Sequence, residues 1–554
     1  MKQTILYFLM IAFSLNISKA QTLTVNNSQL NFGVVYENAP DSLPLTLLNS
    51  LDKSVNVTAF RFYSIYGYLA FSCSNTSFSI ASGDSQTVWI KCAPQHNIFH
   101  NSELIIENDA QRGYISIDLV AQGRYSKNYY NASENLEEET LKTSLQTITG
   151  NGYHSLGYNT ARDSMFMWLD NKKTNGQGAT QNTLECVYTG RLATGYTNRT
   201  DCQTNDSFNT EHTFPQGFFN SNEPMRSDLH HLFPTDDDAN NKRASYPFGV
   251  VTNASWSQGG SEFDNNTNIF EPRDIHKGIA ARAMLYFVVR YANYTNFLDT
   301  QESILKTWNN AFVPSTIELT RNDDIYTIQN NRNPFVDYPQ LADRITSFSN
   351  LSVAPTNFSI DETQNEINYG FVLNGSIATY QYVIVNNGNQ MVQFSNFTLS
   401  NSTLLNFNGS SGTNTTLNPG EAITLTIDLH PTIPGVIYET LSFQTNVPGS
   451  LNVQIPINAQ STAVGVEEIN STTMFIYPNP TTSELTISGI NVSLGNEIKV
   501  FDVIGKEVYS ENVELSAVDE GYIKIQTTGF STGVYLFTFS NNNNILYRHR
   551  FVKN

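Results

Sequence analysis

Alternating apolar and polar positions dominate both ends of the chain, and helical spacing is confined to its middle. Between residues 21 and 124, short runs such as Leu23-Thr24-Val25, Phe78-Ser79-Ile80, Val88-Trp89-Ile90 and Ile115–Val120 are bounded by clusters of Asn, Ser, Asp and Gly. Such runs predict strands, because period-two side chains share one face of a pleated sheet. The bounding residues favour chain reversal. Residues 350–460 repeat the style, with Tyr380–Val385 and, after the turn Asn418-Pro419-Gly420, the β-branched run Ala422–Leu429. A linker over 461–472 leads to a third strand-rich segment, 473–554, with strands predicted over Glu484–Ile487, Glu497–Val503, Gly521–Gln526 and Gly533–Ser540. In between, Leu141, Leu145 and Ile148 recur at helical spacing and predict a helix over Glu137–Thr149. Lys277–Ala292 and Gln301–Phe312 predict two more. Residues 135–345 therefore read as one α+β domain between all-β flanks, and chemistry is expected there.

Each strand-rich flank (21–124 and 350–460) spans about a hundred residues, the size of an immunoglobulin-like sandwich. The fold class is thus multidomain: a central α+β domain flanked by immunoglobulin-like sandwiches, with an all-β C-terminal domain. The 554 residues are 40% hydrophobic and carry a formal charge of −19, which excludes a disordered chain and a surface coated in nucleic acid. Nineteen of the 31 Lys and Arg lie between residues 123 and 344, and none lies between Arg344 and Lys499. Any polyanion site therefore belongs to the middle domain. The same stretch, 123–344, holds 26 acids, so phosphate binding there requires a local gathering of bases or a metal ion.

At the start, a charged Met1-Lys2-Gln3, an apolar run Ile5–Leu15 and a small-residue exit at Ala20 read as a signal peptide over residues 1–20. No later run reaches the roughly 20 apolar residues of a membrane span, so an extracellular protein, secreted or attached to the outer surface, is expected. Four cysteines in an exported chain suggest two local disulfides, Cys73–Cys92 and Cys186–Cys202.

Five of the nine histidines fall in the middle domain, three of them in the paired segments Asn209-Thr210-Glu211-His212-Thr213-Phe214-Pro215-Gln216 and Ser227-Asp228-Leu229-His230-His231-Leu232-Phe233-Pro234. A Glu–His pair followed 29 residues later by Asn240 can build a phosphodiesterase site around one metal. Mg²⁺ takes oxygen ligands and keeps several waters, so one carboxylate and one carboxamide suffice. A neutral imidazole beside it can take a proton from water, and a guanidinium can grip a phosphate by two bonds. Neighbouring strand residues face opposite ways, so Glu211 and His212 serve one site only at a bulge or strand end, or with the phosphate between them. A zinc peptidase of the His-Glu-x-x-His kind lacks its spacing here.

The segments NTEHTFPQ, SDLHHLFP, ANNKR and YPFG, together with Glu185–Arg191 upstream and Phe270–Ala283 downstream, resemble the bacterial endonuclease I family of secreted ββα-metal nucleases. The resemblance implies Glu211 and Asn240 as metal ligands and His212 as general base. Arg243 is the first candidate for a phosphate contact, ahead of Arg226 and Arg191. His230, His231 and Asp228 are read as residues that orient the site, and Asp236-Asp237-Asp238 as a solvated loop. The resemblance further implies one ion (Mg²⁺, or Mn²⁺ or Ca²⁺), 5′-phosphate products, little sequence preference, and DNA as substrate with RNA as the other candidate. Tyr477-Pro478-Asn479-Pro480 and the strands after it resemble the C-terminal sorting domain of the type IX secretion system, which implies that export machinery as a partner. The competing expectation is a surface-displayed adhesin whose nuclease-like domain is inactive, with a sandwich ligand that the sequence does not name.

Overall fold

The computed structural model describes residues 23–64, 67–109, 112–292, 295–462, 475–488, 497–512, 522–541 and 544–554. The expected signal peptide, most of the 461–472 linker and Gly521 lie outside them. The C-terminal segment forms a compact unit of its own.

The first module is a two-sheet sandwich built by the alternation seen in the sequence. Asp41–Asn49 pairs with Ser85–Cys92 so that Leu45 stands opposite Val88, and Leu45, Leu47, Val88 and Ile90 all point inward. They meet Leu104, Ile106, Ile117 and Leu119 of the facing sheet in a single apolar core. Each such side chain contributes about 1.5–3 kcal/mol by leaving water. Gln29–Tyr36 joins that facing sheet in parallel with Ile115–Arg124, whereas Phe99–Asn108 pairs with the latter antiparallel.

The four cysteines are free thiols, which corrects the two expected disulfides. The strand register explains the first pair: Phe71, not Cys73, stands opposite Cys92, and the Cys73 thiol turns to the Asn75 carbonyl at 3.3 Å. Cys186 is committed elsewhere, accepting from the backbone N–H of Asp236 at 3.2 Å. Parity of cysteines counted thiols but not geometry, and three of the four are buried.

The second module, 360–462, also has two sheets, one centred on Ala378–Asn386 against Ala422–Leu429 in unbroken antiparallel register. The pair Arg112–Gly113 adds to it in parallel, opposite Tyr380 and Gln381. Only glycine permits this: Gly113 has φ +92°, and a Cβ there would lie 1.8 Å from the Gln381 carbonyl oxygen. Ile105 packs on Val383 and Val385 at the same junction. In the C-terminal unit a three-stranded and a four-stranded sheet enclose Leu485, Ile487, Val500, Phe537, Phe539 and Phe551.

The central region is organised around the helix Asp274–Tyr291, buried on nearly every side. Helices Glu138–Gly150 and Glu302–Ala311 pack on it. Gly278 admits the chain at Phe312, whose carbonyl oxygen would lie 2.5 Å from a Cβ. Helix Thr316–Gln329 is fastened to the central helix by the enclosed fork Arg282–Glu318, with two bonds of 2.7 Å. Against this scaffold lies a short antiparallel ribbon, Phe208–His212 with Leu232–Asp236, running directly into helix Asp237–Arg243. Stacking of Tyr125 on Tyr338 (3.7 Å, 8°) and the bond from Arg344 to Asn97 (2.5 Å) hold the region to the first sandwich.

Candidate active site

The ribbon and helix put the expected residues at a strand end and on one helix face. Glu211 stands opposite Phe233, and His212, the last residue of its strand, opposite Leu232. Asp236 closes the ribbon and caps the helix, its carboxylate accepting from the Ala239 N–H at 2.8 Å. It also accepts from the Thr189 hydroxyl at 2.5 Å. Asp236 is therefore a buried structural cap rather than part of a solvated loop. Of its neighbours, Asp238 accepts from the Trp256 indole at 3.0 Å.

Strand alternation separates the surroundings of Glu211 and His212. Glu211 is enclosed; its Oε1 accepts from the Tyr188 hydroxyl at 2.7 Å and lies 3.6 Å from Nε of Arg243. Asn240 sits three residues before Arg243 on the same helix, and hence on the helix face that carries Arg243 toward Glu211. Burial pushes the Glu211 carboxyl above its ordinary range, with Arg243 and Tyr188 offsetting only part of that cost. An enclosed carboxylate whose burial cost is only partly offset, with a carboxamide one helical turn from its Arg243 partner, has the donor chemistry of a hard-cation site. Among the described residues no three His, Cys, Asp or Glu side chains gather as a metal cluster, so a cation here would rest on this carboxylate–carboxamide pair.

His212 faces Tyr158, His231 and Phe219, with ring centroids 5.6, 5.5 and 6.3 Å away. Burial, aided by positive potential from His231, Arg226 and Arg162, pulls its pKa down to about 3, so the ring is neutral at neutral pH. Nε2 lies 3.2 Å from the Arg226 carbonyl, which fixes the tautomer: Nε2 carries the proton and donates it. Nδ1 has no partner among the described residues, and its lone pair is free to take a proton.

The orienting residues divide. Asp228 anchors the loop between the strands, accepting from the hydroxyls of Tyr286 (2.7 Å) and Tyr291 (2.9 Å), from Gln329 (3.1 Å) and from the His230 N–H (3.1 Å). Burial opposes its charge, but His230, His231 and these donors win and hold its pKa below the ordinary value. His231 touches the His212 ring and is tied to the Met225 carbonyl at 2.6 Å. His230 turns instead to the Asn331 carbonyl at 3.1 Å.

Arg243 does not have the geometry expected of a phosphate contact. It is 0% exposed, its Nη atoms are spent on the carbonyls of Tyr246 (2.5 Å) and Thr213 (2.9 Å), and its plane lies over Phe248 at 4.2 Å. It is a brace beside Glu211. Arg191, one of the two lesser candidates, is likewise occupied with Asp236 at 3.6 Å and the Asp206 carbonyl at 2.8 Å.

This ribbon-and-helix unit lies wholly inside a stretch with known relatives. Residues 137–340 match the Endonuclease I family. The extracellular ribonuclease of Bacillus subtilis (strain 168) is 28% identical over 235 residues, covering 39% of this chain and 77% of the relative. The extracellular ribonuclease of Bacillus amyloliquefaciens is 28% identical over 245 residues, 41% and 81% respectively. The extracellular deoxyribonuclease of Aeromonas hydrophila is 27% identical over 116 residues, 20% of this chain and 50% of that protein. Residues 475–554 match the Secretion system C-terminal sorting domain. The protein is therefore secreted or held at the cell surface, and among the described residues no helix is long and apolar enough to cross a membrane.

Within the Endonuclease I region, sequence reasoning missed Tyr188, whose hydroxyl holds Glu211, and Tyr158 with Arg162 beside His212. Tyr188 lies within the upstream segment that carries the family resemblance, but nothing in its spacing marks a tyrosine bonded to a carboxylate 23 residues away.

Proposed function

We propose that the protein is an extracellular endonuclease that hydrolyses internal phosphodiester bonds of DNA or RNA with little sequence preference and one divalent cation. Relatives named as extracellular ribonucleases and as an extracellular deoxyribonuclease support a nucleic-acid substrate of either sugar. The observation that carries the chemistry is the state of His212: neutral, with Nε2 tied to the Arg226 carbonyl and Nδ1 unpartnered among the described residues. That ring offers a free lone pair to a water proton, and the negative charge of a bound phosphate would raise its basicity from the low value that burial imposes.

In this reading His212 Nδ1 removes a proton from a water that attacks phosphorus in line with the leaving 3′-oxygen, leaving a 5′-phosphate and a 3′-hydroxyl. Glu211 and Asn240 would hold a hard cation such as Mg²⁺, Mn²⁺ or Ca²⁺, which when bound neutralises charge developing on the phosphate and leaving oxygen. Tyr188 and Arg243 keep the Glu211 carboxylate in place. His231 packs against the His212 ring and limits its swing. Because strand neighbours diverge, the scissile phosphate would have to lie across the end of the strand at His212.

The test is digestion of plasmid DNA and of a structured RNA by the full chain, first in EDTA and then with Mg²⁺ restored, for the wild type and Glu211→Gln. Cleavage that stops with chelation, returns with Mg²⁺ and is lost in Glu211→Gln is expected. No cleavage of either substrate by the wild type would favour the display role, with the nuclease-like region inactive.

A further inference from the structure

Two guanidinium groups stand beside His212 without an acidic partner. Arg162, on the helix Tyr158–Ser164, and Arg226, in the turn Met225–Ser227, each place Cζ 4.1 Å from the centroid of the Tyr158 ring. That ring is 5.6 Å from the His212 ring, and the Arg226 carbonyl is the acceptor for His212 Nε2. Among the described residues neither arginine forms an ion pair. The adjacent acid, Asp163, is taken by Arg199 at 2.7 Å. Arg162 gives one N–H to Asn159 at 2.9 Å, and Nε of both Arg162 and Arg226 is enclosed and unpartnered.

Six other arginines of the region, Arg191, Arg199, Arg273, Arg282, Arg321 and Arg332, each pair with a carboxylate, as an acid-rich domain makes easy, whereas among the described residues Arg290, over Tyr153 and Tyr291, and Arg344, on the Asn97 carboxamide, also lack one. Two like charges gathered on one aromatic ring repel each other, and a cation–π contact returns only about 0.5–2 kcal/mol per group. Such an arrangement is tolerated where the missing negative charge arrives with a ligand. A planar guanidinium with free N–H groups matches phosphate oxygens.

We propose that Arg162 and Arg226, stacked on Tyr158, bind the nucleic-acid backbone at the phosphate attacked by the water that His212 deprotonates, or at the one next to it. This rests on the nuclease reading and supplies the phosphate grip that Arg243, sealed in the core, cannot give. The grip is on phosphate, so it adds affinity equally for all sequences. It also accounts for a net acidic domain that can hold a polyanion: two unopposed bases sit where the strand must pass.

The test is fluorescence anisotropy of a labelled single-stranded oligonucleotide with the full chain in EDTA, across a salt series. The variants are Arg162→Gln, Arg226→Gln, the double variant and Arg162→Lys, each checked for folding by circular dichroism. Each Gln variant should bind several-fold more weakly. The slope of log affinity against log salt should become shallower by about 0.7 for every phosphate of a single strand that is no longer neutralised. Arg162→Lys should keep the slope, since it keeps the charge. In the steady-state cleavage assay the Gln variants should raise KM more than they lower kcat. If both folded Gln variants bind with wild-type affinity and slope while the wild type binds and cleaves, the assignment is overturned and the nuclease reading stands. A wild type that neither binds nor cleaves overturns both.

Discussion

Replacing Arg243 by Leu separates a brace from a phosphate ligand. The substitution removes the guanidinium 3.6 Å from Glu211 and the two bonds to the Tyr246 and Thr213 carbonyls. It leaves an enclosed carboxylate supported, among the described residues, only by the Tyr188 hydroxyl. Removing one partner of a buried ion pair costs about 3–5 kcal/mol, because the survivor stays out of water without compensation. For a region of roughly 200 residues, each kcal/mol moves the melting temperature by about 2–4 °C, so a drop of roughly 6–20 °C in the transition of the central region is expected. The penalty should shrink as the pH falls, because Glu211, its carboxyl already raised by burial, then takes up a proton more readily and ceases to be an unpaired charge. Calorimetric melts of both proteins at pH 5 and 7.5, with cleavage assayed below the transition, measure this. A variant that melts with the wild type but binds substrate poorly would falsify the brace and return Arg243 to the phosphate.

Tyr188→Phe deletes a charge-assisted bond worth about 1.5–3 kcal/mol and frees the Glu211 carboxylate to turn; the Mg²⁺ concentration for half-maximal cleavage should rise about 10- to 100-fold, and an unchanged requirement counts against Tyr188 as a positioning residue. In the first sandwich, burial raises the Glu103 carboxyl from 4.5 to about 8, so the folded chain keeps a proton that the unfolded chain releases. That stability is full below about pH 4.5 and lost as pH rises to about 8, a total of at most about 5 kcal/mol. Glu103→Gln should flatten the fall in melting temperature between pH 5 and 8, and an equally steep fall in the variant refutes the assignment. Thiol titration of the chain unfolded without reductant should count four free thiols, since all four cysteines are unbridged; a count of two or none means that disulfides form.

Much of this architecture was legible in apolar periodicity. The helices Glu138–Gly150, Asp274–Tyr291 and Glu302–Ala311 lie within a few residues of their predicted spans, because each sets apolar residues against the same core. Helix Thr316–Gln329 gave no such stripe: its buried positions include Glu318, Asn322 and Gln329, polar groups satisfied by Arg282, by Asn333 and by Asp228. Partners distant in sequence made those burials possible, and no local pattern announces them. At the site, the segments holding Glu211, His212 and Asn240 were legible as short distinctive runs, which the fold brings together as a ribbon and the helix that follows it. The role of Arg243 was not, since a basic residue at the end of a motif reads the same whether its helix turns it outward or seals it over Phe248. Asp236 shows the reverse failure: three consecutive aspartates suggested solvent, although Asp before a helix is also a common cap, and here the Ala239 N–H claimed it.

The account rests most directly on His212 as the proton acceptor. The decisive measurement is the cleavage rate of one plasmid substrate in Mg²⁺ by the wild type and by His212→Ala, with folding of both confirmed by circular dichroism. A fall of about 10²–10⁴-fold in rate with the fold intact is the predicted result. A folded His212→Ala protein that cuts at the wild-type rate would contradict it.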